Sequence, residues 1–199
     1  MSQRESRLNK VIGCNETGGH RNNMDYTFRK QAWEFIMAGG ALFNNLDFSF
    51  SVGNESGKGD SLCPGTGGSH SLRMQYGFLR KFLEGMNVIN LHPANHIIYS
   101  LEYTLCDGYG YLLSDERSQY AFYLSKSNVY RASFMVEEGQ YLYELFDPVS
   151  CSCLESRIIT HPGGLLVLSL SRHDIKDQEI AFRLIKEINN HCQENAEEN

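Results

Sequence analysis

The 199-residue chain is predicted to be an α+β protein, with a segment of β/α units leading into an antiparallel β-sandwich. Three observations predict this. The first 90 residues read strand, helix, strand, helix. Eight short strand candidates then follow at regular spacing, and turn residues separate most of them. The carboxylate Glu16 stands where the first strand breaks at glycine, the place where parallel β/α barrels carry their chemistry.

Each element has its own reason. Residues 1–10 are polar and charged, and they are expected to be a disordered lead-in without the apolar core of a signal peptide. Residues 11–16 are strand-like. A helix is expected from Thr27 to Ala38, capped by Asp25 or Thr27, with Phe28, Ala32, Phe35 and Ile36 at helical spacing and Gly39-Gly40 as its stop. Trp33, the only tryptophan, is expected to be a core or interface anchor. Residues 41–50 mostly alternate, which predicts a strand. Leu42, Leu46, Phe48 and Phe50 would face covering helices, while Phe43, Asn45, Asp47 and Ser49 would face the mouth. A long Gly/Ser/Asn-rich loop spans 51–70, and Ser69 or Ser71 starts a second helix with the stripe Leu72, Tyr76, Leu79, Leu83 and Met86.

From His92 onward, strands are predicted at 97–105, 109–113, 120–125, 129–136, 141–146, 154–160, 165–170 and 180–188. The last also has helical periodicity. The acidic end, 190–199, is expected to be a flexible tail. The domain boundaries expected are therefore 11–92 for the β/α units and 93–189 for the sandwich.

Composition narrows the function. The formal charge is −6 and no stretch has the basic density of a nucleic-acid surface, so nucleic acid is not expected as a partner. No run is long enough to span a membrane. The address is left open: cytoplasmic by default, secreted if the start is truncated. The six cysteines form no C-x-x-C pair, and the seven histidines offer no metal site; His92 and His96 are separated by Pro93. No cofactor is expected. The stretch Gly53 to Gly59 fails as a phosphate loop, because three residues separate Gly53 from Gly57 and a glycine follows Lys58. The two Asn-x-Ser/Thr sequons, at Asn15 and Asn54, carry no weight without a secretory signal.

The candidate catalytic residue is Glu16, which a strand end and its neighbours Asn15 and Thr17 could hold for attack on an anomeric carbon. The alternative is a strand-end glutamate that bonds loop amides. Asn15, Asn45, Asp47 and Ser49 are the candidate substrate-binding residues, either a polar rim for sugar hydroxyls or strand-end turn chemistry.

The stretches VIGCNETG, QAWEFIMAGGALFNNLDFSFSVG, PGTGG and LRMQYGFLRKFLEGM resemble the last two β/α units of cellulase-like, family 5-like glycoside hydrolases. YAFYLS, EEGQYLYELFDPVSC and HPGG resemble the small β-domain, of the type described as collagen-binding, that often follows such barrels. The resemblance implies a glycosidase nucleophile at Glu16. It also implies an acid/base on a strand that nothing in this chain matches, so the chain is expected to be inactive alone. Carbohydrate is the implied ligand, and a protein supplying the remaining barrel strands, or self-association, is the implied protein partner. The competing function is a non-catalytic carbohydrate- or protein-binding module.

Overall fold

The apolar residues of the second half alternate along short strands, and those strands form two antiparallel sheets around one core. The computed structural model describes residues 10–15, 24–45, 47, 50, 52–57, 68–103, 109–125, 129–170 and 179–187. Residues 1–9 of the expected lead-in at 1–10 and the tail at 190–199 lie outside them, as do Glu16, Ser49, Leu46 and Phe48.

The elements run β1 (Gly13–Cys14), α1 (Met24–Met37), β2 (Leu42–Phe43), α2 (His70–Glu84), β3 (His92–Pro93), β4 (Ile98–Tyr103), β5 (Tyr109–Ser114), β6 (Gln119–Ser125), β7 (Val129–Val136), β8 (Gly139–Asp147), β9 (Ser152–His161), β10 (Gly164–Ser169) and β11 (Ile180–Lys186). Strands β1 and β2 pair in parallel, Gly13 opposite Leu42 and Cys14 opposite Phe43. A three-stranded sheet has the order β10-β7-β4, and a six-stranded sheet the order β3-β5-β6-β11-β8-β9. All eight strands expected after His92 are present within a few residues of their expected bounds.

The two antiparallel sheets share the first core. Tyr120, Phe122 and Leu124 of β6, Phe182 and Leu184 of β11, and Tyr141, Tyr143 and Leu145 of β8 meet Ala132, Phe134, Leu166 and Leu168 of the smaller sheet. The second core lies on the opposite face of the six-stranded sheet. There Ala121, Tyr123, Phe146 and Ala181 pack against Ala32, Trp33 and Met37 of α1 and Leu79, Phe82 and Leu83 of α2. The central strands are therefore covered on both faces. This explains the helix-like periodicity of 180–188: a strand buried on both sides is a continuous apolar run and does not alternate. The helical layer and the six-stranded sheet own the second core jointly.

The helices are set by local chemistry. Helix α1 begins at Met24, ahead of the expected start, so Asp25 and Thr27 lie within its first turn and do not precede it. It ends where Gly39 takes φ 91°, with Gly39 N donating to Ile36 O (2.9 Å) and Gly40 N to Phe35 O (3.0 Å). Ser69 caps α2 as expected, its hydroxyl accepting from Leu72 N at 2.9 Å.

The strand expected over 41–50 is shorter and faces the other way. Ladder pairing reaches from Ala41 N, donating to Ile12 O, to Asn44 N, donating to Cys14 O, and among the described residues only 42–43 are strand. Leu42 and Phe50, expected under helices, are 58% and 52% exposed. Phe43 packs on the second core and Asn45 is buried. The inward side is the one that α1 and α2 cover, and both helices lie toward Phe43 and Asn45.

Candidate functional site

Parallel strands point their carboxyl ends the same way, so the residues just past Cys14 and Phe43 gather at one end of the β1–β2 pair. Asn15 stands there exposed, and its carbonyl accepts from Asn44 Nδ2 at 3.3 Å. Asn45 is 6% exposed, and its Oδ1 accepts from the Tyr76 hydroxyl at 2.9 Å. Asp47 forms an ion pair with Arg73 at 2.9 Å. The expected rim residues Asn15, Asn45 and Asp47 therefore lie along the ends of the two strands; of the expected set, Glu16 and Ser49 fall outside the described residues.

Two residues of helix α2 and its cap complete the cluster, and sequence reasoning did not assign them there. Arg73 binds Asp47, donates to the carbonyl of Gly57 and lies 5.1 Å over the Phe50 ring, so it ties the segment after β2 to the helix. Tyr76 reaches Asn45. Ser69, the cap of α2, donates to Asp25 of α1 at 2.5 Å. The glycine stretch before α2 has a steric role here. Gly68, at φ 106°, passes so close to Asp47 that an added Cβ would stand 2.0 Å from its Oδ1. Only glycine allows that approach.

Burial, and then the nearby Asp25 and Asp47 carboxylates, push the Tyr76 phenol above its ordinary range, so it stays a neutral donor. The Asp47 carboxylate is held by the Arg73 guanidinium. Asn45 Nδ2 is buried with no hydrogen-bond partner among the described residues.

A second buried network ties this end to the antiparallel sheets. Arg29 of α1 donates from Nε and Nη2 to the two oxygens of Glu179, both at 3.0 Å, and from Nη1 to Gln75 Oε1 at 3.1 Å. Gln75 in turn donates to Val149 O at 3.0 Å. Between α1, β2 and α2 an apolar groove of about 620 Å³ opens, lined by Ile36, Leu42, Phe43, Leu79, Leu83 and Leu91 among others.

The structure also joins His92 and His96, which the sequence separates by Pro93. Their Nε2 atoms lie 2.9 and 3.2 Å from one oxygen of Glu116. Among the described residues no group of histidine, cysteine, aspartate or glutamate is arranged to hold a metal ion. No helix among them is long and apolar enough to cross a membrane. The described cysteines Cys14, Cys151 and Cys153 are free thiols. His161 Nδ1 accepts from Gly163 N at 3.1 Å.

No protein-family model matches the chain, and no curated protein matches it by sequence. Its fold is shared with glycoside hydrolases. One solved chain described as a glycoside hydrolase superposes at a TM-score of 0.56 with 11% identity, over 86% of this chain and 40% of that one. A glycoside hydrolase family 5 protein from Bacteroides vulgatus ATCC 8482 superposes at 0.57 with 8% identity, over 88% of this chain and 40% of that one. The chain thus spans 40% of the length of each of these neighbours.

Proposed function

We propose that this chain is the C-terminal part of a family 5-like glycoside hydrolase that acts on O-glycosidic bonds of carbohydrates. In this reading residues 11–92 are the last two β/α units of a barrel and residues 93–189 are an accessory β-sandwich. The observation that carries the reading is the parallel β1–β2 pair with Asn15, Asn45 and Asp47 at its carboxyl end. In a protein of alternating β/α units that end is where ligands are handled.

Glu16, two residues past β1, is the proposed nucleophile. Its carboxylate would attack the anomeric carbon while a second carboxylic acid protonates the leaving oxygen. Asp47 is already engaged in an ion pair with Arg73. The acid/base is therefore proposed to come from a polypeptide that supplies the other barrel strands and covers the open edges of β1 and β2, and the chain alone is inactive. Association through those edges, with such a protein or with a second copy, belongs to the same proposal.

The exposed outer face of the smaller sheet favours a second reading, a binding module. Tyr99, Met135, Leu165 and Val167 are exposed there. Assays of the chain against aryl glycosides and soluble polysaccharides, with molecular mass by light scattering, separate the two. The first reading expects no turnover by the chain alone and a mass above that of a monomer. Turnover that vanishes in Glu16→Gln overturns the inactivity. A clean monomer with well-dispersed spectra from residues 11–50 overturns the split barrel.

A further inference from the structure

We propose that the outer edge of β10 pairs with the same edge of a second copy of this chain, antiparallel and about a two-fold axis at Leu166. The contact lies away from the β1–β2 end and does not depend on the carbohydrate reading.

The two antiparallel sheets have four outer strands, β3 and β9 in the larger and β4 and β10 in the smaller. An outer strand offers unpaired N–H and C=O groups to any other strand. Proline, bulges and inward-pointing charges block such pairing. Strand β3 is two residues long and contains Pro93. Strand β4 shifts register against β7 twice, between Ile98 and Ser100 and between Glu102 and Tyr103. Strand β9 shifts register opposite Leu145 and Phe146. It also turns Arg157 over the ring of Tyr143, a core residue, and pairs that arginine with Glu155 at 2.9 Å. Strand β10 has none of these devices. Its sequence GLLVLS holds no charge and no proline. It meets β7 without a shift, from Gly164 opposite Val136 to Ser169 opposite Arg131. Among the described residues β7 is its one neighbour.

The side chains and the charge select a second copy as the occupant. Leu166 and Leu168 belong to the two-sheet core, while Leu165 and Val167 point the other way and are 42% and 50% exposed. A two-fold axis at Leu166 sets Leu165 of each copy opposite Val167 of the other, on one face. Both exposed residues are then covered, the core is untouched, and the contact closes on itself. The antiparallel direction also suits the charge. The Gly164 end of β10 lies by Glu137 and Glu138, and the Ser169 end by the Arg131–Glu102 ion pair. Antiparallel pairing places each acidic end beside the other copy's neutral end, whereas parallel pairing would bring the acidic ends together. The product is a continuous sheet in the order β4-β7-β10-β10-β7-β4.

The test measures the mass of the full chain by sedimentation, from micromolar to millimolar concentration. It compares the unaltered chain, Val167→Lys, Val167→Glu and an equimolar mixture of the two variants. Val167 is half exposed, so neither substitution enters the core, and melting temperature checks the fold. Leu165→Lys and Leu165→Glu replace this set should it melt early. The unaltered chain is expected to dimerise. Each variant alone should dimerise about tenfold more weakly or worse, because like charges meet across the axis, and the mixture should recover the dimer. Variants that associate as strongly as the unaltered chain would place the contact elsewhere; that overturns this inference and leaves association through β1 and β2 standing. Loss of the dimer in each variant with no recovery in the mixture overturns the two-fold pairing. A monomer at every concentration overturns both modes of self-association.

Discussion

Trp33 of α1 stacks on Tyr123 of β6, ring centroids 5.0 Å apart and planes 17° from parallel. Both residues are fully buried, and Phe82 of α2 closes against the same indole at 5.1 Å. One aromatic contact thus joins the helical layer to the six-stranded sheet. Trp33→Ala is expected to cost about 3–5 kcal/mol, as for other large buried aromatics. Trp33→Phe should cost much less, because the indole Nε1 has no hydrogen-bond partner among the described residues. Urea unfolding of both variants checks the pair of values, and equal losses would show that the indole nitrogen matters.

The same joint core sets an expectation for truncation. Residues 93–189 hold the two-sheet core. They do not hold the helices that cover Leu113, Ala121, Tyr123, Phe146 and Ala181. A chain starting at 93 would present that apolar face to water. It is expected to bind a hydrophobic dye and to self-associate, whereas the full chain unfolds in one transition. A monomeric, dye-free fragment with the full chain's melting temperature would show that the helices add nothing to the sheet.

How far the sequence was legible follows from these contacts. Strands β5 to β10 could be read because turn chemistry brackets them: Asp147 accepts from Val149 N and Ser150 Oγ at the β8–β9 turn, and Gly163 and Gly164 take φ 89° and 93° where β10 begins. The run Tyr120 to Ser125 has no polar alternation, and that lack was a usable sign of burial on both faces. Strand β2 is shorter than expected because part of the alternation over 41–50 comes from residues that bond helix α2. Asn45 and Asp47 are polar for Tyr76 and Arg73, not for an open face. Tyr76 was hidden for the converse reason. It sits at an apolar-stripe position of α2, and only its hydroxyl, at the tip, reaches the strand ends. The pairing of Arg29 with Glu179 spans 150 positions, and no local spacing announces it.

Asp115 gives the pH prediction. Its Oδ1 accepts from Arg117 N, Ser118 N and Gln119 N at 3.0, 2.8 and 2.8 Å, and its Oδ2 from the Ser118 hydroxyl. Burial acts to raise its carboxyl, but these hydrogen bonds outweigh it and hold the group below its ordinary value of 3.8. A carboxyl lowered in the folded state stabilises the fold above the unfolded value, and the contribution is lost as pH falls through the folded one. Asp115→Asn should therefore cost about 1–2 kcal/mol near neutrality, the range for a lost turn-capping carboxylate. The difference from the unaltered chain should shrink below pH 3.8. A loss of the same size at all pH values would assign the effect to shape and not to charge.

The last prediction concerns the buried ion pair. Arg29 and Glu179 are 2% and 0% exposed, and together with Gln75 they fix α1 and α2 against the start of β11 and the β8–β9 turn. Removing two charges from water is costly, and their attraction offsets that only while both are present. Arg29→Met alone leaves a buried carboxylate without its guanidinium, and Glu179→Gln alone leaves a buried guanidinium without its carboxylate. Each single variant should lose about 3–5 kcal/mol. The double variant Arg29→Met/Glu179→Met removes both charges and restores apolar packing, so it should recover most of that loss. Denaturant midpoints of the two single variants and the double variant form the test cycle. A double variant as unstable as the sum of the singles would mean that the pair acts as two independent anchors, with Gln75 and the sheet sharing the work that the ion pair is assigned here.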